Sequence, residues 1–279
     1  MKKNIEKFLY FLVYSNLYLA LGGMSCAYLT MTILQVSIKL EPLLITFFMT
    51  WFLYSLNRLS DMKEDKINNP ERVKFFHKYG KYFLYTSGAG YFILAFSSII
   101  FFNIYIFIHA IIPMIIALGY SFFRLKKYLL LKDIIVAVVW GNLALLTSAY
   151  YGFQYSTIAI LIFTFIFLRV MVTTIMFDIK DIKGDKVTGV NTLPVRYGKR
   201  STQISLYIIN FSSIVFTLTI FRVFLQSYFV YFLLIPIIYS FFYVKNIDKY
   251  GSKNFFYGLV VDGELLVFAI ISLVWVFIV

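Results

Sequence analysis

Two short stretches hold most of the residues able to do polar chemistry in this chain. "NRLSDMKEDKINNPER" (57–72) carries Asp61, Glu64, Asp65 and Glu71, four of only 13 acidic residues. "FDIKDIKGDK" (177–186) carries Asp178, Asp181 and Asp185. Asn57, Asp61 and Asp65 are spaced four apart, so a helix running through them presents all three on one face. The second set, spaced three and four apart, does the same. If the two faces meet, each like-charged pair ~6 Å apart costs about 3 kcal/mol at an effective dielectric of about 20. Such a cluster calls for cations. Carboxylate oxygens without His or Cys suit Mg2+, which takes one or two protein carboxylates together with water and phosphate oxygens. His77 and His109 fall too far apart in the expected topology to build a zinc site with these groups. The plainer alternative is a pair of solvated helix ends with local ion pairs. Two phased acidic sets on the same face favour a shared site.

The elements that must position these residues are membrane helices. The chain is 61% hydrophobic, 21% aromatic and 14% charged, with mean hydropathy +0.82, whereas soluble domains carry roughly 25% charged residues. A net charge of +13 on so little polar surface excludes a soluble nucleic-acid binder. Cys26 is the only cysteine, so a disulfide framework within the chain is excluded, and it is expected to pack in the first helix. The N-terminus has a basic start like a signal peptide. Its apolar stretch runs past residue 30 without a small-x-small cleavage site, which reads as a retained first helix. A span needs about 20 mainly apolar residues, and nine candidates emerge: 8–34, 42–60, 79–101, 104–123, 132–152, 157–178, 201–221, 227–245 and 257–279. The expected fold is an all-α polytopic bundle forming one domain over 1–279.

Positive charge orients it. The N-terminus and the segments 58–81, 124–132, 178–200 and 245–253 hold 23 of the 26 Lys and Arg residues. The positive-inside rule then places the N-terminus and both acidic loops in the cytoplasm and the C-terminus outside. The second and sixth spans each run into an acidic stretch, with Asn57 and Asp178 separated by 121 residues, so the chain contains two related helix–acidic-loop units.

The motifs carry a resemblance. "N-x3-D-x3-D-x-I-N-x-P-x-R" (Asn57, Asp61, Asp65, Ile67, Asn68, Pro70, Arg72) resembles the first aspartate-rich motif of the UbiA superfamily of intramembrane prenyltransferases. "D-x2-D-x2-G-D-x3-G-x2-TLPVRYG" (178–198) resembles the second. The resemblance implies a helical bundle around a central cavity open to lipid, in which Mg2+ grips the diphosphate of a polyprenyl donor. Carried over residue by residue, Asp61, Asp65, Asp181 and Asp185 are the expected Mg2+ ligands, with Asn57 and Asp178 in support. Arg72 occupies the diphosphate-binding arginine position. "YSFFRLKK" (120–127) resembles the family's Y-x3-K element, so Tyr120 faces the reacting centre and Arg124 or Lys126 contacts phosphate. At least two of Lys126, Lys127 and Lys132 are expected to serve only as positive-inside charges. Gly184, Gly189, Pro194 and Gly198 read as turn and helix-stop residues.

The implied activity is Mg2+-dependent prenyl transfer from a polyprenyl diphosphate to a lipophilic or aromatic acceptor within the bilayer, without nucleic acid. Arg58, Arg124 and the stretch "VKFFHKYG" depart from the family pattern. They leave open an aromatic ring, a tetrapyrrole, a glycerol-lipid hydroxyl, a carotenoid, or the prenyl chain itself in a terpene cyclase. A transporter for a cation or anionic lipid is the alternative of another class. It would place ionisable groups near the midplane on broken helices, whereas these cluster at one face beside a basic rim.

Three ionisable residues lie elsewhere. Arg169 sits nine residues before Asp178, about 13 Å deeper along a helix. A mid-span arginine costs at least ~2.5–3.5 kcal/mol, so it needs a partner, either a buried polar group such as Asn142 or an acidic group on the acceptor. Asp262 and Glu264, near the start of the last span, are either lining residues or interfacial ones, and the interface is the expectation.

Overall fold

Long apolar runs in lipid must satisfy their backbone internally, and helices do so within a single segment. The computed structural model describes residues 2–122, 128–153, 155–225, 227–250 and 255–278, and every regular element among them is helical. In chain order these are α1 (Lys2–Tyr14), α2 (Leu17–Ile33), α3 (Leu40–Ser60), α4 (Met62–Asn68), α5 (Pro70–Phe101), α6 (Ile104–Phe122), α7 (Leu131–Tyr150), α8 (Thr157–Thr188) and α9 (Leu193–Phe216). A π-helical stretch, Thr217–Phe221, leads into α10 (Arg222–Leu225), α11 (Phe229–Phe232), α12 (Leu234–Lys245) and α13 (Ile247–Tyr250). A second π-helical stretch, Phe256–Val261, opens into α14 (Gly263–Ile278). Helix α8 runs beside α7 and α9, while α2 packs on α3, α7 and α14. Cys26 is buried within α2, as expected.

Each of the nine expected spans has a helical counterpart among the described residues, but nine crossings are not established. By length and composition, five helices can cross a membrane: Pro70–Phe101, Leu131–Tyr150, Thr157–Thr188, Leu193–Leu225 and Phe256–Ile278. The pair α1–α2 makes six if counted as one span bent by 68°. The shortfall has physical causes. Ile104–Tyr120 and Phe229–Lys245 are short, and α3 mixes Glu41, Thr46, Thr50, Ser55, Asn57 and Arg58 into its apolar sequence. The bend between α1 and α2 falls at Asn16, whose backbone is left-handed (φ 62°), a conformation Asn tolerates better than most side chains. Trp51 Nε1 fixes the bend by donating to Ser15 O at 2.8 Å.

Two polar inserts expected as loops are instead largely helical. Helix α8 continues ten residues past the expected end of its span and stops where Gly189 turns left-handed (φ 73°). Helical hydrogen bonding also passes through the α3–α4 junction, from Asp61 N to Asn57 O at 3.0 Å and from Asp65 N to Asp61 O at 2.9 Å. Both acidic sets therefore sit on helices, and that fixes their phase.

Arg169 is fully buried and is held by buried polar groups, as expected, although Asn142 is not one of them. Its Nε lies 2.6 Å from Glu264 Oε1, and its Nη1 donates to Asn210 Oδ1 at 2.8 Å and to Ser213 Oγ at 3.3 Å. Tyr243 OH donates to Glu264 Oε2. Glu264 is thus buried rather than interfacial, because α14 carries it inward to Arg169, a charge that lipid cannot solvate. Asn142 pairs with His109 instead, Oδ1 to Nδ1 at 2.8 Å.

Candidate active site

The α3–α4 unit and the end of α8 face each other across one cavity of about 180 Å³. Its walls include Asn57, Asp61, Asp65 and Arg72 from the first motif, Asp181 and Asp185 from the second, and Tyr120. Arg58, Lys132, Lys180 and Asp262 add charge, and Tyr54, Val136, Trp140, Val170, Phe177 and Leu265 add apolar surface. Asp178 does not line this cavity. It is fully buried behind it, with Oδ1 2.5 Å from Lys132 Nζ. Arg124 and Lys126 lie outside the described residues.

Asn68 ties the two motifs together. Its Oδ1 accepts from Gly184 N at 3.0 Å, and its Nδ2 donates to Asp181 O at 3.5 Å. Gly184 is therefore a close-approach residue inside α8, not a turn residue: a Cβ there would sit 2.3 Å from Asn68 Nδ2. Asn69 caps α5 by accepting from Arg72 N at 3.3 Å, with Pro70 at the first helical position. This places Arg72 against Asp65, which accepts from Arg72 Nη2.

The electrostatics of the first motif are set by arginine. Burial alone would raise the Asp65 carboxyl, but Arg58, Arg72 and Lys180 together outweigh it and hold Asp65 below the usual carboxylate range. Arg58 Nη1 lies 3.6 Å from Asp65 Oδ2. Arg58 Nε and Arg72 Nε are buried without a hydrogen-bond partner among the described residues. These are N–H donors that an incoming anion can fill.

The second motif presents oxygens. Asp181 Oδ1 and Asp178 Oδ2 are buried and accept no hydrogen bond among the described residues, although Lys180 Nζ stands 3.7 Å from Asp181 Oδ1. Asp185 Oδ2 accepts from Thr192 Oγ1 at 3.4 Å, and Asp61 Oδ2 accepts from Asn57 Nδ2 at 2.8 Å. Among the described residues no three His, Cys, Asp or Glu side chains converge tightly enough to cage an ion by themselves. Mg2+ takes a few carboxylates and completes its shell with water and substrate oxygens. The donor set, oxygen only with unused carboxylate lone pairs, fits it.

Sequence reasoning undervalued several residues here. Arg58 stands out only as a departure from the family motif, yet it faces Asp65. Lys132 is in sequence one of three lysines of which at least two are expected as positive-inside charges; in the structure it holds Asp178. Lys180 lies between two motif residues, with Nζ 5.1 Å from the Phe177 ring centroid and 5.7 Å from that of Tyr257. Asp262 is a cavity residue rather than an interfacial one, because the last helix folds back onto α2 and brings it to the site. Tyr54 and Trp140 form a hydrogen-bonded pair in the wall, Nε1 to OH at 2.9 Å.

Known proteins resemble both the sequence and this architecture. A digeranylgeranylglyceryl phosphate synthase from Methanococcus vannielii is 30% identical over 168 residues, 58% of this chain. The matched region spans 57% of that relative's length. The apo structure of a UbiA homolog from Aeropyrum pernix K1 shares the fold, with a TM-score of 0.73 at 13% identity over 93% of this chain and 98% of that one. So does a UbiA homolog from Archaeoglobus fulgidus bound to GPP and Mg2+, with a TM-score of 0.69 at 16% identity over 95% of this chain and 98% of that one. The model of the UbiA prenyltransferase family matches residues 16–256, most of the chain, and this integral membrane protein therefore belongs to that family.

Proposed function

We propose that the protein is a Mg2+-dependent prenyltransferase that moves a polyprenyl group from its diphosphate to a lipophilic acceptor. One observation carries the reading: carboxylates from both motifs and unpaired arginine donors from the first line the same cavity as aromatic and aliphatic side chains. Asp61, Asp65, Asp181 and Asp185 would hold Mg2+, with Asn57 and Asp178 behind them. When bound, the ion supplies charge neutralisation that makes diphosphate a competent leaving group. Arg72 and Arg58 take the anion on their free Nε–H groups, and Asp65 fixes the planes of both guanidiniums. Stabilisation of this kind counts most where negative charge grows on the departing oxygens. Tyr120, Tyr54, Trp140 and Phe177 face the allylic cation with π surface and keep water from it. A hydroxyl-bearing glycerol lipid is the acceptor to try first, given what the Methanococcus relative is named for. The test is to incubate purified protein and Mg2+ with labelled prenyl diphosphates and a membrane lipid extract. A prenylated lipid identified by mass supports transfer, whereas a free cyclic hydrocarbon made without any acceptor overturns it.

Asn68 and Gly184 give a more local test. Gly184→Ala gains up to roughly 1 kcal/mol of helix propensity but drives Asn68 off Asp181 and Gly184, so stability holds while the motifs lose register. Activity is expected to fall at least ~10-fold, about 1.4 kcal/mol of barrier. The double variant Asn68→Ala/Gly184→Ala should be no worse than either single change, because all three break one connection. Multiplying losses would show that the two residues act separately.

For orientation, we propose that the N-terminus and both acidic segments face the cytoplasm, within one transmembrane unit of nine crossings. Lys66 and Val187 are exposed at the ends of the two motifs, and Phe102 and Phe153 are exposed at opposite turns. Introduced one at a time as Cys, the first two should react with an impermeant thiol reagent from the cytoplasmic side and the last two only from outside. Labelling of Lys66→Cys and Val187→Cys from opposite sides would rule out a shared site.

A further inference from the structure

Asp262 is the one carboxylate lining the cavity that comes from neither acidic helix. Among the described residues its side chain accepts no hydrogen bond and makes no ion pair, in contrast to Asp65, Asp181 and Asp185. It sits in a long apolar span, Phe256–Ile278. An ionisable group at such a position is costly and rarely kept without a task.

Its placement is also built. Asp262 closes the π-helical turn, with its amide bonding Tyr257 O five residues back at 3.1 Å. The widened turn redirects carbonyls, and tyrosines from two other helices meet them: Tyr18 OH donates to Leu259 O at 3.0 Å and Tyr239 OH to Val260 O at 2.8 Å. Isolated π turns occur mostly where a side chain must be re-aimed, often at functional sites. Here the π turn is pinned from both sides directly before the one unpartnered cavity carboxylate.

The charged groups that face Asp262 are Lys180, Arg58 and Arg72, with Tyr54 and Tyr18 as polar neighbours. Lys180 and the arginines already serve Asp181 and Asp65. A bare carboxylate on this wall repels an acceptor whose reacting group is itself an anion. It attracts a neutral group with a proton to give.

We propose that Asp262 binds the hydroxyl of the acceptor and takes its proton during transfer. The assignment rests on the prenyl-transfer reading above. As the donor's C1–O bond breaks, its electron pair leaves on the diphosphate. The acceptor oxygen bonds to C1, and its proton passes to the Asp262 carboxylate and from there to solvent. The acceptor class is thus an alcohol, not a carboxylic acid.

The experiment uses the full-length protein in Mg2+ with a labelled prenyl diphosphate, and monoalkyl glycerol phosphate as the probe alcohol. Two rates are followed: ether formation with the alcohol, and diphosphate release without it. Removing a general base costs about 10²–10⁴-fold, so Asp262→Asn should lower ether formation at least ~100-fold. Donor Kd and acceptor-free release should stay within about threefold, which also shows that the variant is folded. Formate should restore part of the ether formation in Asp262→Ala, an effect no purely structural role predicts. Asp248→Asn, at an exposed pair with Lys199, should behave as the unmodified protein. Equal loss of both rates, or unimpaired ether formation in Asp262→Asn, overturns the role of Asp262 alone. Diphosphate release without ether from this alcohol overturns the acceptor class. An unmodified protein that releases no diphosphate from any prenyl donor overturns the underlying reading.

Discussion

Asp61→Ala and Asp185→Ala each lower diphosphate release by about 10²–10³-fold, the scale of losing one preorganised group that stabilises developing charge. Each change removes an oxygen donor from a different motif, and the account requires both motifs at once. The two proteins should still fold. Asp61 lies at a helix junction where Asn57 is a close partner, and the hydrogen bond that Asp185 accepts from Thr192 is long, at 3.4 Å. Asp65→Ala is a harsher change, since it frees Arg58 and Arg72 from their common partner. Initial rates with a labelled donor, read beside thermal midpoints in detergent, separate loss of function from unfolding. Near-normal release in either Asp61→Ala or Asp185→Ala would falsify the two-motif site.

The second large effect concerns stability. Arg169 and Glu264 are both fully buried, 95 residues apart in the chain. Breaking a buried ion pair by removing one partner typically costs 3–5 kcal/mol, because the other charge is left unpaired, whereas replacing both with apolar groups is often neutral. Arg169→Met and Glu264→Leu should each destabilise the bundle by about 3–5 kcal/mol, and Arg169→Met/Glu264→Leu should recover most of that loss. Reversible unfolding in mixed micelles measures the cycle. If the double variant is as unstable as the two single losses summed, the pair is not the coupling that holds α8 to α14.

How far the sequence can be read follows from the range of the interactions. Asn57, Asp61 and Asp65, and likewise Asp178, Asp181 and Asp185, are legible because helical phase is local. Four-residue spacing places side chains on one face whatever surrounds them. The pairing of the two sets could be anticipated from their position at the ends of spans expected to share one face. Partners set by tertiary packing could not. Glu264 finding Arg169, Lys132 finding Asp178 and Asp262 reaching the cavity all depend on how distant helices stack, and nothing in their immediate neighbours signals it. Gly184 shows the same limit. In sequence it looks like a turn, but its missing side chain is space for Asn68, 116 residues away. Local detail is why fewer than nine helices pass as plain crossings: the left-handed Asn16 bends the first span, and polar residues in α3 leave it short of the hydropathy of a plain crossing.

The most direct test of the central claim is diphosphate release by the purified, unmodified protein, with the metal as the only variable. The account predicts that labelled prenyl diphosphate is cleaved in Mg2+, that EDTA stops the reaction, and that added Mg2+ restores it. Equal release in EDTA and in Mg2+ would contradict a site in which the two carboxylate motifs and bound metal together draw the leaving group away.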